Sequence, residues 1–198
     1  MYPESLKKLI ESFKMLPGVG EKTAERMAFF SLEMEKEDVE FFSDSLKEAA
    51  ELLHKCPECN NITDKDICDI CSSDSRDKRM LCIVDDVKTL YMFEKSKIYN
   101  GLYFVIDSLI SPINGINPED IGLEKLLKYV NSNKFEEVII AIKSNIEGET
   151  TSLYIKRILE GMNLKITRLA SGIPLGAEME YIDSLTLEKA MIDRREIE

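Results

Sequence analysis

Apolar residues recur at helical spacing from the start of the chain: Leu6, Leu9, Ile10, Phe13 and Leu16 fall on one face, and Pro17-Gly18-Val19-Gly20 interrupts them. This predicts a helix, a tight hairpin and a second helix opening near Glu21. Ala24, Met27, Ala28 and Phe30 continue the periodicity, which carries the second helix through the acidic run from Glu33 to Glu40. A third periodic segment spans Phe41 to Leu53, so residues 1–54 read as all-helical. Beyond a polar connector at 72–78 the pattern changes. Leu81 to Val84, Leu102 to Ile106, Val138 to Ile142 and Leu164 to Leu169 are short β-branched apolar runs. Helical patterns at Thr89 to Lys95, Leu123 to Asn131 and Thr151 to Glu160 lie between them, which predicts a mostly parallel sheet covered on both faces. A loop from Ser171 and a helix from Leu185 to Arg194 close the chain.

The expected class is therefore a multidomain α+β chain. Its pieces are a helical hairpin region at 1–54, a cysteine-bearing segment and connector at 55–78, an α/β domain at 79–170 and a short C-terminal segment at 171–198. With 44% apolar and 32% charged residues in 198, the composition is that of a globular protein with a real core. No apolar run nears the roughly 20 residues that span a bilayer, and the first residues lack a signal peptide's apolar stretch. The expectation is a cytoplasmic protein with no membrane role.

A net charge of −11 excludes a protein that coats nucleic acid by bulk electrostatics, because phosphate binding needs a basic surface. Any DNA contact must be local. Lys7, Lys8, Lys14, Lys22 and Arg26 gather in the first segment, ahead of the acidic run. In Leu16-Pro17-Gly18-Val19-Gly20-Glu21-Lys22-Thr23-Ala24, a glycine-rich turn leads straight into a helix, so backbone N–H groups and the positive helix end can face one phosphate. Glycine allows positive φ there and close approach of a DNA backbone. Lys22 and Arg26, four apart, share a helix face beside that point. Gly18, Val19, Gly20, Lys22 and Arg26 are the candidate DNA-binding residues, and the arrangement resembles the helix-hairpin-helix motif of DNA-repair proteins, which grips the backbone without reading sequence. The plainer alternative is an αα-hairpin whose Pro and Gly serve only the turn.

Cys56-Pro57-Glu58-Cys59 and Cys68-Asp69-Ile70-Cys71 form two Cys-x-x-Cys knuckles eight residues apart. Two such pairs so close supply a tetrahedron of thiolates for one structural Zn²⁺ per chain, with no open position for catalysis. A redox dithiol would need only one pair. Cys82, inside an apolar run, reads as a small buried hydrophobe. His54, the single histidine, reads as a surface or outer-shell residue.

Val138 to Ile142 followed by Lys143-Ser144-Asn145-Ile146-Glu147-Gly148-Glu149 resembles the core of Toprim domains. Catalytic members carry Asp-x-Asp after this strand and a Glu after the first strand, which together hold Mg²⁺. Here Lys143 and Asn145 occupy the two aspartate places, and Asp85 in Ile83-Val84-Asp85-Asp86 stands for the Glu. A lysine there repels the metal, and Mg²⁺ chemistry needs clustered oxygen ligands.

A helix-hairpin-helix, a four-cysteine finger and a degenerate Toprim domain, in that order, resemble the bacterial recombination-mediator family RecR along the entire chain. Arg26 to Phe29, Ser111 to Gly122 and Arg168 to Tyr181 add to the likeness, the last resembling the family's Walker-B-like C-terminal region. The resemblance implies a non-catalytic mediator of DNA repair that self-associates as a dimer or tetrameric ring. It implies binding to single-stranded/double-stranded junctions or gapped duplex, and action with RecO and RecF to load RecA on DNA coated by single-strand-binding protein. It also makes Glu147 and Glu149 candidate partner-binding residues. Two departures, Ile106-Asp107-Ser108-Leu109 in place of a glycine-bearing stretch and Ala177 in place of a glycine, bear on partner contact more than on fold. The alternatives are a Mg²⁺-dependent Toprim enzyme built on Asp85, Asp86, Asp107 and Glu147, and a zinc-ribbon adaptor that binds no DNA.

Overall fold

Two units divide the chain, Met1–Leu53 and His54–Glu198. The computed structural model describes residues 2–170, 172–194 and 196; Ser171, where the expected C-terminal segment starts, lies outside them, as do Met1, Arg195, Ile197 and Glu198.

In the first unit, α1 (Glu4–Lys14) and α2 (Glu21–Glu33) form an antiparallel hairpin. Leu6 and Ile10 of α1 bury against Ala24 and Ala28 of α2, with Leu9, Phe13 and Val19 packed around them. The two alanines let the helices approach, and burying each large side chain contributes about 1.5–3 kcal/mol. The second helix does not continue through the acidic run. It stops at Glu33, Met34 and Glu35 are extended, and α3 (Lys36–Leu52) starts anew. The reason is electrostatic: Glu37 and Asp38 stabilise the positive N-terminal end of a new helix, whereas they would destabilise the C-terminal end of the old one. No residue of α3 is buried, and Val39, Phe41, Phe42 and Leu46 lie exposed along it.

The second unit opens with a two-stranded antiparallel ribbon, β1 (His54–Lys55) and β2 (Ile62–Thr63), and a single turn of helix, α4 (Asp69–Ser72). A four-stranded sheet follows. Its strands are β3 (Asp77–Val84), β4 (Gly101–Val105), β5 (Glu137–Ala141) and β6 (Lys165–Arg168), all parallel and ordered β4-β3-β5-β6. Helices α5 (Val87–Ser96), α6 (Leu123–Ser132) and α7 (Ile146–Ile158) make the crossovers, and α8 (Ser184–Ile192) is the last helix among the described residues. In the central strand β3, Leu81, Cys82, Ile83 and Val84 are all buried, as a strand covered on both faces requires. The first strand starts in the expected connector, at Asp77, with a register shift between Asp77 and Leu81.

From β3 the chain first runs outward to β4, then crosses back to β5 on the other side. The carboxyl ends of β3 and β5 therefore border the point where strand order reverses, the crevice in which open α/β sheets bind ligands. Asp85 and Asp86 follow one strand end, and Lys143, Ser144 and Asn145 follow the other. Among the described residues no helix is long and apolar enough to cross a membrane.

Candidate nucleic-acid interface and metal centre

The hairpin between α1 and α2 closes by three short-range bonds, with the N–H groups of Met15, Leu16 and Val19 donating to Ser12, Phe13 and Leu16 carbonyls. Gly18 has φ 81°, a conformation that only glycine adopts without strain, so the turn depends on it. Gly20 differs from expectation: it is extended, with φ −87°, and any residue tolerates that backbone. What Gly20 provides is an uncapped helix start. It has no side chain to accept from the first turn, and the first intrahelical bond is Ala24 N–H to the Gly20 carbonyl. The N–H groups of Glu21, Lys22 and Thr23 thus precede the ladder and face outward at the positive helix end. A β-carbon added at either glycine would meet nothing within 4 Å among the described residues. Val19 turns its side chain into the hairpin core, so its part here is to fix the turn.

Lys22 and Arg26 lie on α2 beside this end, Lys22 exposed and Arg26 on the same side one turn on. Glu21, which would repel a phosphate, is paired with Lys14 at 2.7 Å, and Lys14 also holds Glu11 at 2.9 Å. The two carboxylates, Glu21 foremost, hold the Lys14 ammonium well above its ordinary range. Lys14 thus offsets Glu21, and Lys22 and Arg26 flank the helix start although the chain is acidic.

The four cysteines converge. Their sulfurs all lie within 4.8 Å of one another, and Cys59 Sγ is 3.6 Å from Cys68 Sγ. That spacing matches the edge of a tetrahedron around an ion with Zn–S bonds of about 2.3 Å. Cys56, Cys59 and Cys68 are buried and Cys71 half-buried, so a bound ion would be closed to solvent on most sides. Each knuckle is shaped by its backbone. Asn60 sits at φ 63° after the first, where Cys56 N–H donates to the Asn61 carbonyl; in the second, Cys68 starts the turn of α4 and its N–H points at Cys56 Sγ, 3.5 Å away. The donor set and geometry fit a structural zinc held by Cys56, Cys59, Cys68 and Cys71.

Spacing gave no sign of the groups that surround these sulfurs. Tyr129 Oη lies 3.9 Å from Cys71 Sγ, and Lys125 Nζ donates to the Cys56 carbonyl at 3.3 Å and to Asn60 Oδ1. Both come from α6, more than fifty residues downstream. Asn60 Nδ2 donates to the Val105 carbonyl and Val105 N–H to the Cys59 carbonyl, stitching the first knuckle to the edge strand β4. His54 is exposed on β1, and the group that can hold a metal consists of the four cysteines. Cys82 is buried in β3, and that burial pushes its thiol up to about 12.

At the sheet's switch point the acids are already engaged. Asp85, whose side chain is only 4% exposed, has Lys143 Nζ 3.1 Å from its Oδ2. Asp86 caps α5 by accepting from Thr89 N–H at 2.6 Å, which holds its carboxyl low, and Asp107 pairs with Lys55. Helix α7 starts at Ile146, five residues before the expected Thr151, because Asn145 caps it: its Oδ1 accepts from Gly148 N–H at 2.9 Å. Glu147 and Glu149 thus stand in the first helical turn and not in a loop. Glu149 accepts from Lys189 of α8 and Arg168 of β6, each at 2.8 Å, and these cations hold its carboxyl below the usual range. Glu147 lends its carbonyl to Thr151 Oγ1.

Comparison with family models gives four matches in chain order. The RecR helix-hairpin-helix model matches residues 6–50 and the RecR four-cysteine zinc finger domain 53–73. The Toprim domain matches 79–170 and the RecR C-terminal model 172–195. With the hairpin, the four-sulfur cluster and the parallel sheet each inside its matched segment, the chain belongs to the RecR family of DNA-repair recombination mediators.

Proposed function

We propose that this protein is a cytoplasmic recombination mediator with no catalytic step of its own. It grips the DNA backbone at gaps or single-stranded/double-stranded junctions and, with RecO and RecF, loads RecA on DNA coated by single-strand-binding protein. The observation that carries this reading is the uncapped N-terminus of α2, set behind a glycine turn and flanked by Lys22 and Arg26. Gly18, Val19 and Gly20 shape the turn, the N–H groups of residues 21–23 meet a phosphate, and Lys22 and Arg26 add charge without reading bases. Zinc, held by the four cysteines, keeps its segment folded and performs no chemistry.

Residues 1–54 serve as the DNA grip, 55–78 as the finger and connector, 79–170 as the partner platform and 171–198 as its C-terminal brace. Glu147 and Glu149 lie on the face offered to RecO, with Glu149 also binding the brace through Lys189. Self-association as a dimer or tetrameric ring is supported by α3, a helix with no buried residue whose exposed Val39, Phe42 and Leu46 follow helical spacing. A ring joins several weak hairpins and offsets the low affinity expected of an acidic chain.

The test is RecA filament formation on gapped circular DNA coated by single-strand-binding protein, with RecO and RecF present. The protein should shorten the lag before filaments grow while leaving the DNA intact in Mg²⁺. Nicking or relaxation of the DNA would replace this reading with an enzyme, and an unchanged lag with no DNA bound would replace it with a plain adaptor.

A further inference from the structure

The crevice at the carboxyl ends of β3 and β5 is where an open α/β sheet takes its ligand, and where catalytic Toprim domains hold Mg²⁺. The groups present do not fit that ion. Mg²⁺ needs several oxygen ligands in near-octahedral array. Asp85 faces an ammonium, Asp86 is spent on the α5 cap, Asp107 on Lys55, and Asn145 on the α7 cap. Among the described residues the carboxylates do not gather as the four cysteines do.

We propose that Lys143 is the resident cation of this crevice: its ammonium permanently fills the charge role that a divalent ion fills in catalytic relatives of the fold, and bars such an ion from binding. Three observations carry the assignment. The Asp85 side chain is almost fully buried, so its charge requires compensation inside the protein. The 3.1 Å contact to Lys143 supplies a positive charge, while among the described residues no donor is aligned for a hydrogen bond to Asp85 Oδ2, so the pair is held by charge and not by a directional bond. The Lys143 backbone is fixed, because the first turn of α7 packs on its carbonyl so closely that only glycine fits at 148. The ammonium is thus delivered to Asp85 by the same loop that, in a catalytic site, would deliver carboxylates.

The inference deepens the non-catalytic reading and rests on it, but the two can fail separately. The experiment is titration of Mn²⁺, followed by electron paramagnetic resonance of the free ion, on the zinc-loaded full chain. Asp85→Asn alone should leave Mn²⁺ uptake as in the wild type, since no ion uses Asp85. Lys143→Asp should take up one further ion per chain, about tenfold or more tighter than any wild-type uptake, because an attractive charge replaces a repulsive one at contact distance. Lys143→Asp with Asp85→Asn should lose that ion, and Lys143→Arg, which keeps the cation, should behave as wild type. Wild-type uptake abolished by Asp85→Asn would overturn the proposal even if Lys143→Asp does not fold. A folded Lys143→Asp that gains no ion would overturn it too. Either result leaves the mediator reading standing as long as the DNA stays intact, whereas cleavage by the wild type would remove both.

Discussion

A β-carbon built on Gly148 would lie 1.7 Å from the Lys143 carbonyl oxygen, so a side chain there forces the α7 start away from the strand loop. Gly148→Ala should cost roughly 1–3 kcal/mol by overpacking, read as a lowered midpoint in urea unfolding. The sequence shows a glycine between two acids, but the reason for it is a backbone approach that no pattern reveals. A second pair of residues is equally silent in sequence. Arg76 donates Nη1 to Glu94 Oε1 at 2.8 Å and Nη2 to Oε2, with both side chains largely covered. Arg76 holds the Glu94 carboxyl below its usual range. Because the folded value is the lower one, the pair's contribution is complete above the unfolded carboxyl's pKa of about 4.3 and is lost as pH falls through the folded value. Glu94→Gln should therefore cost roughly 2 kcal/mol at pH 7, between exposed and fully buried pairs, and this cost should shrink in acid. Thermal unfolding at pH 7 and near pH 3 checks both.

At the scale of elements, the zinc segment and the sheet edge behave as one piece. The Cys59 carbonyl accepts from Val105 N–H at 2.8 Å, and Asn60 ties its amide to the Val105 carbonyl. Removing zinc should release this edge as well as the knuckles, since structural zinc sites carry folding free energy. Hydrogen exchange of the Val105 amide should speed up on chelation, and unchanged protection would show that the finger and β4 are independent. The cysteine ligands were legible because metal geometry dictates their spacing, and the four strands because a buried parallel sheet needs unbroken apolar runs. Helix limits were less so. The break at Met34 and Glu35 was hidden because acidic residues at 33–40 suit helix surfaces generally; only their preference for a helix start separates α2 from α3. The start of α7 had a visible sign in Asn145, a residue favoured at N-caps. Lys125 and Tyr129 had none, since the contact to the cysteines is made by the fold.

For the whole molecule, the governing tension is between a net charge of −11 and a DNA-binding role. The proposed resolution is local: Lys14 pairs with Glu21, and Lys22 and Arg26 flank the helix start. Binding through so few charges should weaken with salt, each phosphate contact adding about 0.9 to the slope of log affinity against log salt on duplex DNA. Self-association should depend on the exposed apolar residues of α3. Phe42→Glu with Leu46→Glu should shift the wild-type oligomer toward monomer in sedimentation velocity, and an unchanged distribution would move that interface elsewhere. The most direct test of the central claim is fluorescence-anisotropy binding to a gapped duplex at low and moderate salt, comparing wild type, Lys22→Glu/Arg26→Glu, and a control reversal at Lys95 and Lys134, both distant in sequence from the hairpin. The hairpin variant should lose binding at both salts while the control keeps it; equal binding by wild type and hairpin variant would rule out the hairpin as the DNA grip.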